Sequence, residues 1–163
     1  CEPDLLIADE PTTAIDVTGQ AQILDLLKEL QREKGTAIIM ITHSMGVIAN
    51  ICHRVQVMYA GKIAEEADAG PLFADPRHPY TVGLLESIPR LDEHKGDELT
   101  PIEGQPPDMT QRPQGCAFHP RCRYRIDRCQ QEEPPLLESK NGGRSACFVL
   151  AQEDANPLPQ AEG

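Results

Sequence analysis

Between Asp4 and Asp9 the chain reads DLLIAD, a short apolar run bounded by charge, the pattern of a strand buried on both faces of a parallel sheet. The period then changes. Ile23, Leu26, Leu27 and Leu30 recur at helical spacing between a start signal at Asp16 to Thr18 and a stop at Gly35, which predicts an amphipathic helix. TAIIMI, from Thr36 to Ile41, predicts a second buried strand, and strand, helix and strand together make a right-handed parallel crossover. THSMGVIANI reads as a short helix, and RVQVMYAGKIAEEA as two short strands turning at Ala60 and Gly61 to form an antiparallel edge. The fold class is α/β.

Past Ala69 the pattern weakens. Most of the 15 prolines fall there, and helical periodicity survives mainly in YTVGLLESI, behind the breaker Pro79. His78, Pro79 and Tyr80 read equally well as a helix start with a packed aromatic or as a functional motif. The stretch from Arg90 to Pro113 is charged, proline-rich and linker-like, and AQEDANPLPQAEG at the end has the composition of a disordered tail. The expected organisation is a sheet-and-helix part over 1–68, an extension over 69–150 and a tail over 151–163.

Composition narrows the function classes. With 26 acidic against 15 basic residues the formal charge is -11, which argues against general binding of nucleic acid. No apolar run reaches the ~18 residues of a membrane-spanning helix, and the start lacks the charged and apolar segments of a signal peptide. These features predict a soluble, intracellular chain. There, six cysteines are metal ligands or free thiols rather than disulfides. Cys1 and Cys52, far from the others, read as inert thiols.

The candidate chemistry lies at the strand ends. Asp9 and Glu10 close the first strand, where open α/β sheets place ligand-binding groups. Strands often end in acidic residues without function, but here TTAID follows directly and the next strand ends in ITHS. Asp9, Glu10, Asp16 and His43 are therefore expected to converge at one edge. LLIADEP, TTAID and ITHS resemble, in order, the Walker B strand, D-loop and switch-histidine segment of the nucleotide-binding subunits of ABC transporters. The resemblance implies the C-terminal half of an ABC-type P-loop ATPase. It implies that Asp9 helps to hold Mg²⁺ on ATP, that Glu10 orients or polarises the attacking water and that His43 contacts the γ-phosphate. Asp16 would reach a second ATPase subunit. Phosphoryl transfer needs positioning and charge neutralisation more than nucleophilic side chains, so these residue types suit it. Ser44 departs from the Asp usual after the histidine, a position without a primary catalytic role.

The phosphate-cradling loop G-x-x-x-x-G-K-[ST] of this family does not occur in the 163 residues, nor does the signature LSGGQ. The expectation is a C-terminal part of a longer subunit, inactive by itself. RHPYTVGLLESIP, IEGQPPD and GCAFHPRC resemble the C-terminal extension of the oligopeptide and dipeptide importer ATPases. That resemblance implies two membrane permeases and, indirectly, a solute-binding protein as partners, no nucleic acid, and a place on the cytoplasmic face of the membrane.

Cys116, Cys122, Cys129 and Cys147 are spaced C-x5-C-x6-C-x17-C. The gaps exceed those of common zinc knuckles, and four thiolates suit an iron-sulfur cluster as well as zinc. Arg112, Arg121, Arg123, Arg125 and Arg128 surround them, opposed in sequence only by Asp127, a setting that would stabilise an anionic cluster. The same cysteine pattern in peptide-importer subunits implies a 4Fe-4S cluster. Zinc, or buried thiols without metal, remain open, with His119 a neighbouring or surface group. The alternative for the whole chain is an iron-sulfur or zinc regulatory module with a vestigial ATPase half.

Overall fold

A computed structural model describes residues 3–88 and 101–150, and Cys1, the first part of the expected linker (Arg90 to Pro113) and the expected tail over 151–163 lie outside the described residues. The chain forms two compact units, Cys1–His53 and Arg54–Gly163.

The first unit carries the strand-helix-strand crossover. Strands β1 (Leu5–Asp9) and β2 (Ala37–Ile41) pair in parallel, from Leu5 opposite Ala37 to Asp9 opposite Ile41. Helix α1 (Val17–Lys34) lies between them in sequence, starting where Asp16 accepts the Gly19 N–H at 2.7 Å and ending at Gly35. This N-cap satisfies one of the donors that every helix start leaves open. Helix α2 (Met45–Ile51) is capped by Ser44, whose hydroxyl oxygen accepts the Val47 N–H, and buries Met45 and Val47.

The two strands are not buried on both faces as expected. Leu5, Ile7, Ile39 and Ile41 are 48%, 61%, 49% and 50% exposed, and the intervening residues are half-buried. The reason is that, among the described residues, two strands form this sheet, and α1 fully buries Leu27 alone. One apolar face stays open.

The second unit is built on a hairpin. Strands β3 (Arg54–Tyr59) and β4 (Lys62–Asp68) are antiparallel, joined by Ala60 and Gly61 with φ of 47° and 77°. Two left-handed residues match the twist of the flanking strands, and the glycine adopts that geometry without strain. Sequence placed this hairpin at an edge, but β4 is an inner strand. Strand β6 (Arg144–Ser145) pairs with its other side and β5 (Leu137–Glu138) pairs with β6, giving the order β3-β4-β6-β5. Helices α3 (Ala69–Ala74), α4 (Pro79–Glu86) and α5 (Arg128–Gln131) complete the unit. Its core joins Tyr59 and Ala64 to Ala117 and Phe118 of the cysteine region, with Tyr59 4.7 Å from Tyr80 and 5.1 Å from Phe118 between ring centroids. Aromatic pairs at such distances stabilise beyond their buried area.

Two adjacent carboxylates fasten the extension to the hairpin. Glu65 and Glu66 are 0% and 1% exposed. Glu65 accepts the backbone N–H groups of Arg77 at 2.6 Å and His78 at 2.9 Å, and so fixes the entry to α4. Glu66 accepts from Arg54, Gln56 and Arg144 at 3.0, 2.9 and 2.7 Å. A buried carboxylate is tolerated when such donors replace its water.

Candidate functional site

Glu10 directly follows β1, and its N–H donates to the Ile41 carbonyl at 2.8 Å, which carries the strand pairing one residue further. Its φ is 46°, a left-handed value that costs energy for a residue with a side chain and is common at functional sites. The turn brings the carboxylate to two partners. Thr13 Oγ1 donates to Oε2 at 2.6 Å, and His43 Nδ1 lies 2.8 Å from Oε1. The Thr13 hydrogen bond, and then that of His43, hold the Glu10 carboxyl below the usual carboxylate range. The His43 side chain is 81% exposed, so the pair faces solvent. With Nδ1 turned toward Glu10, the opposite ring nitrogen, Nε2, is left for another partner.

Of the four residues expected at this edge, Glu10 and His43 are in direct contact. Asp9 is exposed at the end of β1, one residue away. The Asp16 carboxylate is engaged in capping α1.

The four cysteines of the extension are free thiols, and all of them line one small pocket with His78, Pro79, Phe118, His119 and Phe148. Gly115 makes this approach feasible: its φ is 73°, and a Cβ there would stand 2.5 Å from the Cys129 carbonyl oxygen. That carbonyl accepts the Cys116 N–H at 2.9 Å. Burial pushes the Cys116 thiol up, Cys122 to about 12 and Cys147 to about 11, so these groups are neutral.

The expected metal centre at Cys116, Cys122, Cys129 and Cys147 is not found as a ready coordination site. Among the described residues no three or more His, Cys, Asp or Glu side chains are arranged to hold a metal ion. The thiols come from separate segments and share their pocket with proline and phenylalanine side chains. The arginines also differ from expectation. Arg112 pairs with Glu133, Arg123 with Glu86 and Arg128 with Glu132, while Arg121 donates to the Glu103 and Ile102 carbonyls. Asp127 is therefore not their only counter-charge. His119 Nδ1 contacts the Cys116 carbonyl at 2.9 Å.

His78 is a structural residue. It is 3% exposed, caps α4 by accepting the Tyr80 N–H on Nδ1, and burial pushes its pKa down to about 4, opposed by a hydrogen bond with the Ala146 backbone. The buried pair Glu65 and Glu66 was not anticipated. Its signal was two acidic residues inside a run that otherwise reads as a strand.

Residues 64–129 match the family described as the oligopeptide/dipeptide transporter C-terminal region. The oligopeptide transport ATP-binding protein OppD of Salmonella typhimurium is 52% identical over 153 residues, covering 94% of this chain and 45% of its own length. OppD of Escherichia coli gives the same identity and coverage. The dipeptide transport ATP-binding protein DppD of Bacillus subtilis is 57% identical over 152 residues, 93% of this chain and 45% of its own. The chain thus spans about half the length of these curated relatives. Among the described residues no helix is long and apolar enough to cross a membrane.

Proposed function

We propose that this chain belongs to the family of oligopeptide and dipeptide transport ATP-binding proteins, a reading supported by its similarity to OppD and DppD, and that it supplies the hydrolytic edge and the C-terminal extension of such a subunit. The reading is carried by the contact of Glu10 with His43, residues 33 apart in sequence that meet at the end of a parallel β-α-β unit.

The residues fit ATP, which the relatives' names carry, and a Mg²⁺ ion bound with it. Asp9 is an exposed carboxylate at the strand end, suited to hold the metal, and when bound the ion supplies charge neutralisation at the phosphates. Glu10, kept ionised by Thr13 and His43, orients a water for in-line attack and accepts its proton. His43 is held by Glu10 on one side and presents its other nitrogen to the γ-phosphate. Asp16 fixes the start of α1 and, through it, the loop after Glu10. The phosphate cradle comes from residues other than these 163, and the open face of Leu5, Ile7, Ile39 and Ile41 is where further layers of the ATPase domain pack. A second ATPase subunit, two permeases and a solute-binding protein complete the importer, which places the chain at the cytoplasmic face of the membrane.

In the extension, Cys116, Cys122, Cys129 and Cys147 are the proposed ligands of a 4Fe-4S cluster. The reading is supported by the gathering of all four thiols on one pocket.

The test is ATP hydrolysis by a subunit in which this chain follows the N-terminal part of OppD. Glu10→Gln should lower the rate by ~100-fold or more while leaving ATP binding intact. An active Glu10→Gln subunit would refute the assignment.

A further inference from the structure

We propose that the extension contains a binding site for a small apolar carboxylate, held in an open cavity beside β4 with Arg112 as the anion-binding group. The cavity measures about 520 Å³ and is walled by Tyr59, Ile63, Ala64, Ala117, Phe118 and Leu136, within the ~300–1,000 Å³ range of small-molecule sites. Its polar lining is sparse and one-sided. Lys62 and Arg112 both face Glu133, at 2.5 Å and 2.7 Å, so two cations share one carboxylate and one positive charge is uncompensated. Arg112 Nε is buried and has no hydrogen-bond partner. Buried donors are paired in the great majority of cases, so this guanidinium is short of one partner where its side chain lines the cavity.

The charge balance selects the ligand. A monoanion compensates the single surplus cation, and a planar carboxylate matches the guanidinium that already gives Nη2 to Glu133. A phosphate, carrying more negative charge, would meet the repulsion of Glu133. The apolar walls call for an aliphatic or aromatic body behind the carboxylate. The C-terminal end of a short apolar peptide, a free apolar amino acid and a fatty acid share this chemistry. None of this depends on the hydrolytic reading of the first unit, so either proposal can fail alone.

Calorimetric titration of the full chain with N-acetyl-leucine, leucyl-leucine and octanoate tests it, with N-acetyl-leucinamide as the uncharged control. At least one acid should bind, and the amide at least tenfold more weakly. Binding by leucyl-leucine or N-acetyl-leucine assigns the site to peptide-derived acids, and binding by octanoate alone assigns it to lipid-derived ones. Arg112→Gln should weaken the bound acid tenfold or more. Glu133→Gln, which releases both cations, should tighten it severalfold, a gain that damage to the fold does not produce. The proposal is overturned if no acid binds, if the amide binds as well as the acid, or if Glu133→Gln fails to tighten binding.

Discussion

Glu10 Oε1 and His43 Nδ1 stand 2.8 Å apart, and the register of two parallel strands puts them there. Asp9 is opposite Ile41, so the residue after β1 and the second residue after β2 leave the sheet at the same edge. The left-handed turn at Glu10 then aims the carboxylate sideways at the histidine. Thr13 holds the other carboxylate oxygen, which leaves Glu10 with both oxygens directed before any substrate arrives.

The Thr13 hydroxyl is the first cause of the lowered Glu10 pKa. Thr13→Val removes that donor with little change in shape, so the carboxyl should titrate at higher pH. A water-orienting Glu10 works ionised. The acid limb of the pH-rate profile of the assembled subunit should therefore move upward, while the rate at neutral pH changes by less than about tenfold. An acid limb in its original place would show that Glu10 is not the titrating group.

His78 links the extension's stability to pH. Its folded pKa is about 4 against ~6.5 in an unfolded chain. Between these values the unfolded chain takes up a proton that the folded chain refuses. Stability from this group is therefore complete above about pH 6.5 and falls as pH drops toward 4, by roughly 3 kcal/mol. Glu65 works in the opposite sense: burial raises its pKa, so its contribution is present at low pH and is lost as pH rises through the folded value. His78→Asn keeps a capping side chain and removes the titration. Urea unfolding from pH 7 to pH 4 should show a shallower decline for the variant than for the parent, and parallel curves would contradict this account.

The Glu66 carboxylate is nearly inaccessible, whereas its partners Arg54 and Arg144 are 64% and 45% exposed. Removing the buried member strands its donors. Removing an exposed one leaves Glu66 with two others. Glu66→Leu should cost about 2–4 kcal/mol, Arg144→Ala less, and Arg54→Ala at most ~1 kcal/mol. Denaturant midpoints giving the reverse order would show that Glu66 does not anchor β6 to β4.

The sequence makes some of this legible and hides the rest for physical reasons. Continuous apolar runs mark β1 and β2, a 3.6-residue period marks α1, and two short strands around Ala60 and Gly61 mark the hairpin. Strands β5 and β6 have two residues each, too few for any period. Glu65 and Glu66 read as solvent-facing until their donors are known, and those donors lie up to 78 residues away. The arginines of the cysteine loop read as opposed only by Asp127 because Glu86 and Glu133 meet them only through the fold. The edge chemistry was clearer, since Glu10 follows β1 directly and His43 comes two residues after β2. The exposure of Ile7 and Ile41 was not legible, because an apolar strand states its need for cover and not whether cover is present.

The four cysteines give the last prediction. Burial raises the Cys116 thiol, Cys122 to about 12 and Cys147 to about 11, which keeps these three protonated. Cluster assembly must displace these protons, which metal binding does when several thiolates share the charge. If the pocket accepts a cluster, the chain purified without oxygen should contain about four irons and four acid-labile sulfides, as a four-cysteine cubane requires, and Cys122→Ser should lose them. Stability separates this from a packing role. A cluster tying Cys116, Cys122 and Cys129 to Cys147 stabilises the extension in proportion to what its loss removes, so Cys122→Ser should lower the thermal midpoint by several degrees more than Cys52→Ser, a half-buried thiol outside the pocket. Iron-free protein with equal midpoints for the two variants would reduce the four thiols to ordinary packing groups around Phe118 and Phe148.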